Sequence, residues 1–170
     1  MKPKPHRGTT DMTLTTTPLD PASFAPFGQV LMAEKGLPEY NSWAGRIENL
    51  RPEARLNVTY MSMHQAPCPA RITQFERHPF SHQMFVPLDG TRHLVIVCPS
   101  LDSGEPDLAK ITPFHATGGQ TVIYAANVWH TPRTVLNAPG AFIMLRWDAG
   151  NSMDTEFFEL NQPFDVHYPR

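Results

Sequence analysis

The sequence has few cysteines, no long apolar runs and no surplus of positive charge, and each of these absences excludes a class of protein. Only two of its 170 residues are cysteines, Cys68 and Cys98, so no disulfide framework is expected and a reducing compartment, the cytoplasm, is indicated. No apolar run approaches the length of a membrane span, and the first residues lack the apolar core of a signal peptide. The net charge of −2 gives no basic surplus, so neither nucleic acid nor an anionic membrane is expected as a partner.

Turn-forming residues, by contrast, are abundant. The 18 prolines and 10 glycines are many for a helical protein and ordinary for short strands joined by turns. Short apolar runs are separated by turn residues roughly every 8–12 positions, which is typical of all-β domains. We therefore predict an all-β protein, an antiparallel barrel or sandwich with few short helices. One domain is expected over residues 13–170, after a disordered polar tail over residues 1–12.

Individual elements follow from the alternation of apolar and polar residues. A helix is predicted over Pro21–Phe27 and one helical turn over Leu108–Lys110. A hairpin is predicted at Asp89-Gly90 and a long loop over Gly36–Arg55. The last element, Asp154–Leu160, fits either a helical turn or a strand. The other strands are predicted at Gln29–Met32, Leu56–His64, Arg71–His78, Gln83–Pro87, His93–Cys98, Ile111–Ala116, Thr121–Ala125, Thr134–Leu136 and Ala141–Trp147.

Two stretches bring together side chains that can exchange protons. In the first, Glu76 and His78 are two apart on a predicted strand, so they face the same way, and Gln83 follows a break at Pro79. The second stretch ends at His130. Carboxylates and imidazoles can transfer protons near neutral pH, whereas a carboxamide only forms hydrogen bonds. We expect both stretches to line one pocket, although Glu76 and His78 alone could form an ordinary ion pair.

The spacing within both stretches resembles the two motifs of cupin jelly rolls. The stretch Glu76-x-His78-x4-Gln83-x6-Gly90 keeps the spacing of the first motif, and Gly119–His130 keeps that of the second. Two of the four usual metal-ligand types are altered, because Glu76 stands where His is usual and Gln83 where Glu is usual. The alteration weakens a metal interpretation and leaves the cupin-like fold prediction intact.

The altered set is similar to the ureidoglycolate lyase (ureidoglycolate hydrolase) family of the cupin superfamily. The resemblance rests on Glu-Arg-His-Pro from Glu76, on Pro106-Asp107-Leu108, and on Tyr124-x3-Val-Trp-His130, in that order. It extends from about Leu14 to Leu160. It implies a carbon–nitrogen lyase that cleaves ureidoglycolate to glyoxylate and urea in allantoin catabolism, and a homodimer.

The resemblance also assigns roles to residues. It implies that Glu76, His78 and His130 are catalytic. The elimination needs no redox cofactor, but His78, Gln83 and His130, with Glu76, could hold a divalent metal such as nickel. The residues implied to bind the substrate are Gln83, Tyr124 and Asn127.

Three positions depart from the family pattern and leave a shifted substrate open. His64 stands where Arg is favoured, Asn127 at or near a favoured Gly, and Thr131 where His is frequent. Two other functions therefore stay open as alternatives. The protein could be another small-molecule cupin enzyme acting on a related hydroxy acid, or a non-catalytic cupin that binds a small acid. A polar pocket with a titratable pair argues against the non-catalytic cupin. Release of urea from ureidoglycolate distinguishes the lyase from the other enzyme.

The remaining polar and apolar candidates have mainly structural interpretations. Arg77 should point away from Glu76 and form an ion pair, and Arg146 needs a partner if it is buried, a carboxylate clamp being the functional alternative. Met84 and Val86 are apolar and outward-facing beside the pocket, which favours a homodimer in a protein with exposed sheet edges. Packing or structural roles are predicted for Phe85, Trp129, His82, His93, His115, His167, Cys68 and Cys98.

Overall fold

The computed structural model describes residues 12–32, 46–137 and 140–169. These residues form one helix, α1, one 3₁₀ turn and thirteen strands. The helix is Pro21–Phe24 and the 3₁₀ turn is Leu108–Lys110. The strands are β1 Thr13–Thr15, β2 Thr17–Pro18, β3 Gly28–Met32, β4 Arg55–Met63, β5 Ala70–Arg77, β6 Gln83–Leu88, β7 His93–Cys98, β8 Thr112–Ala116, β9 Gln120–Tyr124, β10 Trp129–His130, β11 Thr134–Val135, β12 Gly140–Asp148 and β13 Glu156–His167.

The strands form two sheets that pack face to face. One sheet has the order β1-β13-β5-β10-β7-β8-β2, with β11 also paired to β7, and the other has the order β3-β9-β6-β12-β4. All pairs are antiparallel except β1 with β13 and β2 with β8. The predicted all-β, cupin-like fold is confirmed. The short parallel strands at the start are additions that no alternation in the sequence predicted.

Strand β7 lies between two hydrophobic clusters, as its unbroken apolar run predicted. Val95 and Val97 pack between the sheets with Phe85 and Phe142, which belong to the opposite sheet. The intervening residues Leu94, Ile96 and Cys98 pack on the outer side of the first sheet. Because successive side chains point to opposite faces, only an apolar strand can be buried on both. The inner cluster is the core that surrounds the candidate site.

The turn at Asp89-Gly90 forms, but it does not make a hairpin. Both residues have positive φ, 52° and 71°, as the Asp-Gly pair predicted. The strands on either side, β6 and β7, belong to different sheets, so the hairpin prediction is wrong. Thr91 holds the crossing: its hydroxyl donates to the Leu88 carbonyl and accepts from the amide of Ala141. The chain therefore passes from one sheet to the other where a hairpin was expected.

Two further elements differ from expectation in length. Helix α1 ends at Phe24, because Gly28 already pairs with Tyr124 in a sheet, where any Cβ would collide with the Ile123 carbonyl. The last element is a strand that continues to His167. Its register shifts between Glu159 and Phe164, so a bulge interrupts the pairing around Pro163 and the strand continues beyond the predicted end at Leu160.

Part of two predictions lies outside the described residues. These are the disordered tail, apart from Met12, and the first half of the long loop over 36–55, residues 36–45. Within the described chain, no helix has the length and apolarity needed to cross a membrane.

Candidate active site

His130 occupies the centre of the candidate site because a two-residue strand places it in the wall of the barrel. Strand β10 lies between β5 and β7, and its pairing sets His130 opposite Glu76 on one side and Val97 on the other. The Glu76 carboxylate oxygen lies 3.4 Å from His130 Nε2. Trp129 points the other way, into the outer cluster, as predicted. A carboxylate and an imidazole from separate parts of the chain are thus in contact, through an oxygen of Glu76 and Nε2 of His130.

The opposite sheet contributes Gln83 and Tyr124 to the same imidazole. Gln83 begins β6 and pairs with Tyr124 of β9, so both residues lie at one level of the barrel. The amide oxygen of Gln83 is 3.0 Å from His130 Nε2. The rings of Tyr124 and His130 are stacked, with centres 4.1 Å apart and planes 9° apart. All three side chains are buried.

The hydrogen bonds of His130 indicate which of its nitrogens carry protons. Nδ1 lies 2.9 Å from the Val128 carbonyl oxygen, which can only accept, so Nδ1 donates. Nε2 faces two more oxygens, those of Glu76 and Gln83. Because Nδ1 donates to a carbonyl, Nε2 is the nitrogen of His130 that faces the Glu76 carboxylate and the centre of the site. His130 is therefore placed to exchange a proton or a hydrogen bond beside Glu76.

His78 follows β5 and lies on the other side of His130, with the two ring centres 5.4 Å apart. Its Nδ1 is 3.0 Å from the carbonyl oxygen of Asp154 and 2.9 Å from the guanidinium of Arg146. Burial lowers the pKa of His78 to about 3, and the charges of His130 and Arg146 act in the same direction. His78 is thus a neutral group, suited to binding rather than to general acid catalysis.

Glu76 is ionised at neutral pH, because the groups around its carboxyl group lower its pKa although burial acts in the opposite direction. Burial alone would raise the pKa of its carboxyl group, since the charged form is desolvated. The hydrogen bond and charge of His130, together with the charge of Arg133, outweigh burial and lower the pKa. The site therefore holds a carboxylate beside an imidazole, two kinds of side chain that can exchange protons.

The same side chains fit a divalent cation. Ligand atoms of Glu76, His78 and His130 all lie within 4.8 Å of one another, and the Gln83 amide oxygen is next to His130. Two imidazole nitrogens and two oxygens are a donor set for metals such as nickel, and ligation would require His130 to lose its Nε2 proton. The sequence predicted a metal site of His78, Gln83 and His130, with Glu76 as a further ligand. The structure places Glu76 in one cluster with His78 and His130.

Asn127 is close to the site through its backbone. It has a positive φ of 67°, and its amide donates to the carbonyl of His78 at 2.9 Å. This left-handed conformation explains why glycine would suit the position. Its side chain is exposed, and a role in binding substrate stays a prediction.

The structure identifies the partners of Arg77 and Arg146, which the sequence could not name. Arg77 forms an ion pair with Glu156 and stacks over Trp129, so it points away from the site as predicted. Arg146 donates to Asp148 at 2.6 Å and also contacts His78. This half-buried cation therefore has an anionic partner. Arg146 thus positions His78.

Sequence reasoning missed two residues that shape the site. Arg133 is buried, and its guanidinium donates to the hydroxyl of Tyr124 at 3.2 Å. Asp154 accepts hydrogen bonds from three backbone amides, pairs with Arg51, and directs its own carbonyl at His78. A charged residue just after a buried motif was the available sign for Arg133. The polar turn residues 148–154 were the sign for Asp154.

A two-sheet β-barrel that carries two imidazoles, a carboxylate and a carboxamide on facing strands is a cupin. Residues 11–167 match the family model described as ureidoglycolate lyase. The chain is 32% identical to the ureidoglycolate lyase of Azotobacter vinelandii over 166 residues, which cover 92% of this chain and 98% of that protein. It is 34% identical to ureidoglycolate lyase 2 of Rhizobium meliloti over 165 residues, covering 91% and 98% of the two. The chain belongs to the ureidoglycolate lyase family.

Proposed function

We propose that the protein is a ureidoglycolate lyase, which cleaves ureidoglycolate to glyoxylate and urea. The observation that carries the proposal is the contact between the Glu76 carboxylate and His130 Nε2, inside a barrel of this family. An elimination of this kind needs a base and an acid close together, and no redox cofactor. The pair supplies both groups.

The proposed reaction begins at the hydroxyl group of the substrate. Glu76, held in its ionised form, takes the hydroxyl proton. The electron pair of the O–H bond forms the carbonyl of glyoxylate while the bond from carbon to the ureido nitrogen breaks. His130 gives its Nε2 proton to that nitrogen, which leaves as urea. The proton taken by Glu76 returns to His130 across their 3.4 Å contact, and the pair is restored.

The uncharged groups around the pair are proposed to hold the substrate. The amide of Gln83 can donate to a carboxylate or carbonyl oxygen but cannot titrate. His78 is neutral: its Nδ1–H donates to the carbonyl of Asp154, so Nε2 is an acceptor, and the guanidinium of Arg146 lies 3.3 Å from that nitrogen. Tyr124 stacks on His130 and keeps its ring in place. Asn127, at the rim, is proposed as the last binding residue.

A divalent cation is compatible with this arrangement. Glu76, His78 and His130 would hold it, with Gln83 as a fourth ligand. When bound, it would polarise the substrate hydroxyl and lower its pKa. Glu76 and His78 would then orient the substrate rather than act as described above.

A coupled assay for glyoxylate and urea tests the proposed function. Purified protein given ureidoglycolate should release the two products in equal amounts, and the rate should be compared before and after dialysis against a chelator. Release of ammonia in place of urea, or binding of ureidoglycolate without turnover, would contradict the proposal. Turnover of a related hydroxy acid alone would point to a different cupin enzyme.

We further infer that the protein works as a homodimer. Strand β4 is at the edge of its sheet, and it exposes Leu56, Val58 and Tyr60 at alternate positions. Each lies opposite an apolar residue of β12 in the pairing register, so the outer face is continuous. Met84 and Val86 of β6 extend the apolar face, as the sequence suggested. A second copy could cover this face and pair its own β4 edge about a twofold axis.

The cytoplasm is the proposed location. Two cysteines that remain as free thiols support a reducing compartment.

A further inference from the structure

Arg133 carries a buried positive charge. Its residue is only 8% exposed, and the centre of its guanidinium lies 3.7 Å from the ring centre of Phe85. One terminal nitrogen donates to the hydroxyl of Tyr124 and the other makes a long 3.4 Å contact with the Leu94 carbonyl. Among the described residues Arg133 forms no ion pair, and its Nε has no acceptor. Buried charges are normally paired, so the arrangement calls for an anion.

The wall of the barrel is interrupted where Arg133 passes through it. Strand β10 has two residues and pairs with β5 only at Glu76, so the first half of β5 has no strand on that side. Two cavities of about 150 and 230 Å³ lie between that half of β5 and the segment leading into β11. Arg71, Arg133 and Thr134 line both, and no Asp or Glu is among the lining residues of either cavity.

A second unpartnered polar group lies in the same gap. The hydroxyl of Thr131 is buried and makes no hydrogen bond to any described residue, and Thr131 lines the smaller cavity beside Arg133. A carboxylate has two oxygens that each accept hydrogen bonds, and a guanidinium beside a hydroxyl matches them. The two unmet donors, from residues two apart, therefore favour a small carboxylate over a neutral ligand.

Tyr124 connects this gap to the candidate active site. Its hydroxyl accepts from Arg133, and its ring is stacked on His130. Arg133 is also close enough for its charge to act on Glu76. In ureidoglycolate the carboxylate is attached to the carbon whose hydroxyl must lose a proton, so a carboxylate site is needed beside the acid–base pair.

We propose that Arg133, assisted by the hydroxyl of Thr131, binds the carboxylate of a small 2-hydroxy acid that enters through the gap between β5 and β11. That this acid is ureidoglycolate rests on the proposed function. The contact orients the carbinol carbon toward Glu76 and His130, and it neutralises the buried guanidinium. Arg71 lines the same cavities, but it is more exposed and already paired with Asp165, so it contributes little.

The test uses glycolate, which has the carboxylate and hydroxyl of the substrate and no leaving group, and glycolamide, its neutral counterpart of similar shape. Calorimetry should show that the wild-type protein binds glycolate and not glycolamide. Arg133→Met should weaken glycolate binding by about tenfold or more, since a charged hydrogen bond is lost. Arg71→Met, the matched control at the same cavities, should stay within about twofold of wild type.

Nuclear magnetic resonance on the wild-type protein gives a second measurement that does not depend on the folding of a variant. The Nε–H signal of Arg133 should shift on saturation with glycolate and stay in place with glycolamide. An unmoved signal, no binding of glycolate to wild type, or wild-type affinity in a folded Arg133→Met protein would overturn the proposal.

The outcome is separable from that of the proposed function. Glycolate bound through Arg133 in a protein that releases no urea would leave this site standing and reject the lyase. Urea release by a protein in which glycolate leaves the Arg133 signal unmoved would reject this site and keep the lyase.

Discussion

Glu76 and Gln83 present oxygens to the same nitrogen of His130, but only the carboxylate can change its charge. In the proposed reaction, this difference at the residue scale separates the group that moves a proton from the group that holds the substrate. The site keeps a single carboxylate among these groups, but it is Glu76, at a position where His is usual, and not Gln83, where Glu is usual. Substitutions that exchange carboxylate and carboxamide therefore distinguish the two roles with little change in shape.

Replacing Glu76 by Gln keeps the side chain's size and removes the base. We expect kcat on ureidoglycolate to fall by about 10²–10⁴-fold with a modest change in KM. Steady-state kinetics with urea detection measure the effect, and Glu159→Gln, at an exposed position of β13, is the matched control. Wild-type kcat in Glu76→Gln would end the proposal that this carboxylate transfers protons. A smaller loss with an unaltered pH profile would mean that Glu76 only orients His130.

Replacing Gln83 by Glu restores the ligand type that is usual at this cupin position. Affinity for Ni²⁺ should rise by about tenfold or more, because an anionic oxygen replaces a neutral one beside two imidazoles. Turnover should fall, since the new charge repels the substrate's carboxylate. Metal titration and the urea assay measure the two effects, with the exposed Gln162→Glu as the control. Unchanged Ni²⁺ affinity would argue against a metal site at His78 and His130.

At the scale of elements, the pattern in the sequence predicts strands that are long and regular. Strand β7 is predictable because its five apolar residues, Leu94–Cys98, suit burial on both faces. Strand β10 is not, because two residues carry no alternation, although its Trp-His pair marks the motif that resembles the family. The roles of Arg133 and Asp154 depend on which segments lie opposite them, and no local pattern encodes that.

The turn between β12 and β13 depends on Asp154 for its shape. Asp154→Asn should lower the free energy of unfolding by about 3 kcal/mol, because it leaves the buried Arg51 without its charge partner. Chemical denaturation measures the loss, and the exposed Asp102→Asn serves as the control. A variant as stable as wild type would show that the backbone of the turn holds without the carboxylate.

The difference in free energy of unfolding between wild type and Asp154→Asn should depend on pH. Burial would raise the pKa of Asp154, but hydrogen bonds from the amides of Ala149, Asn151 and Gly150 and from Arg51 lower it well below its usual range. A lowered pKa stabilises the folded state above the ordinary value of about 4 and loses this effect as pH falls toward the folded-state pKa. The difference in stability between wild type and Asp154→Asn should therefore be full at pH 7 and shrink below about pH 4. A constant difference down to pH 2 would contradict this account.

At the scale of the whole molecule, the outer faces of the two sheets differ in how far their apolar side chains are buried. The first sheet is covered on its outer side by a second hydrophobic cluster, which includes residues of β13. The second sheet leaves the outward side chains of β4 exposed, Val58 by 58% and Tyr60 by 65%. Large exposed apolar side chains in a row on an edge strand indicate an interface.

Light scattering should give a mass of twice the 19.1 kDa of the chain at micromolar concentration. Val58→Arg should shift the protein toward monomer, because two copies of the charge would meet near the twofold axis. Phe157→Arg, at an equally exposed apolar residue on the first sheet, is the control and should leave the mass unchanged. A wild-type monomer over a wide concentration range would reject the dimer.

The brevity of β10 also has a consequence for motion. His130 is held in the wall by backbone pairs at two residues only, whereas β5 and β12 are each held along most of their length by a neighbouring strand. Segments with few such pairs open locally at lower free energy than the domain unfolds. Amide hydrogens at 129–133 should then exchange with solvent sooner than those of β7, and this opening would let a product leave the barrel while both sheets stay folded.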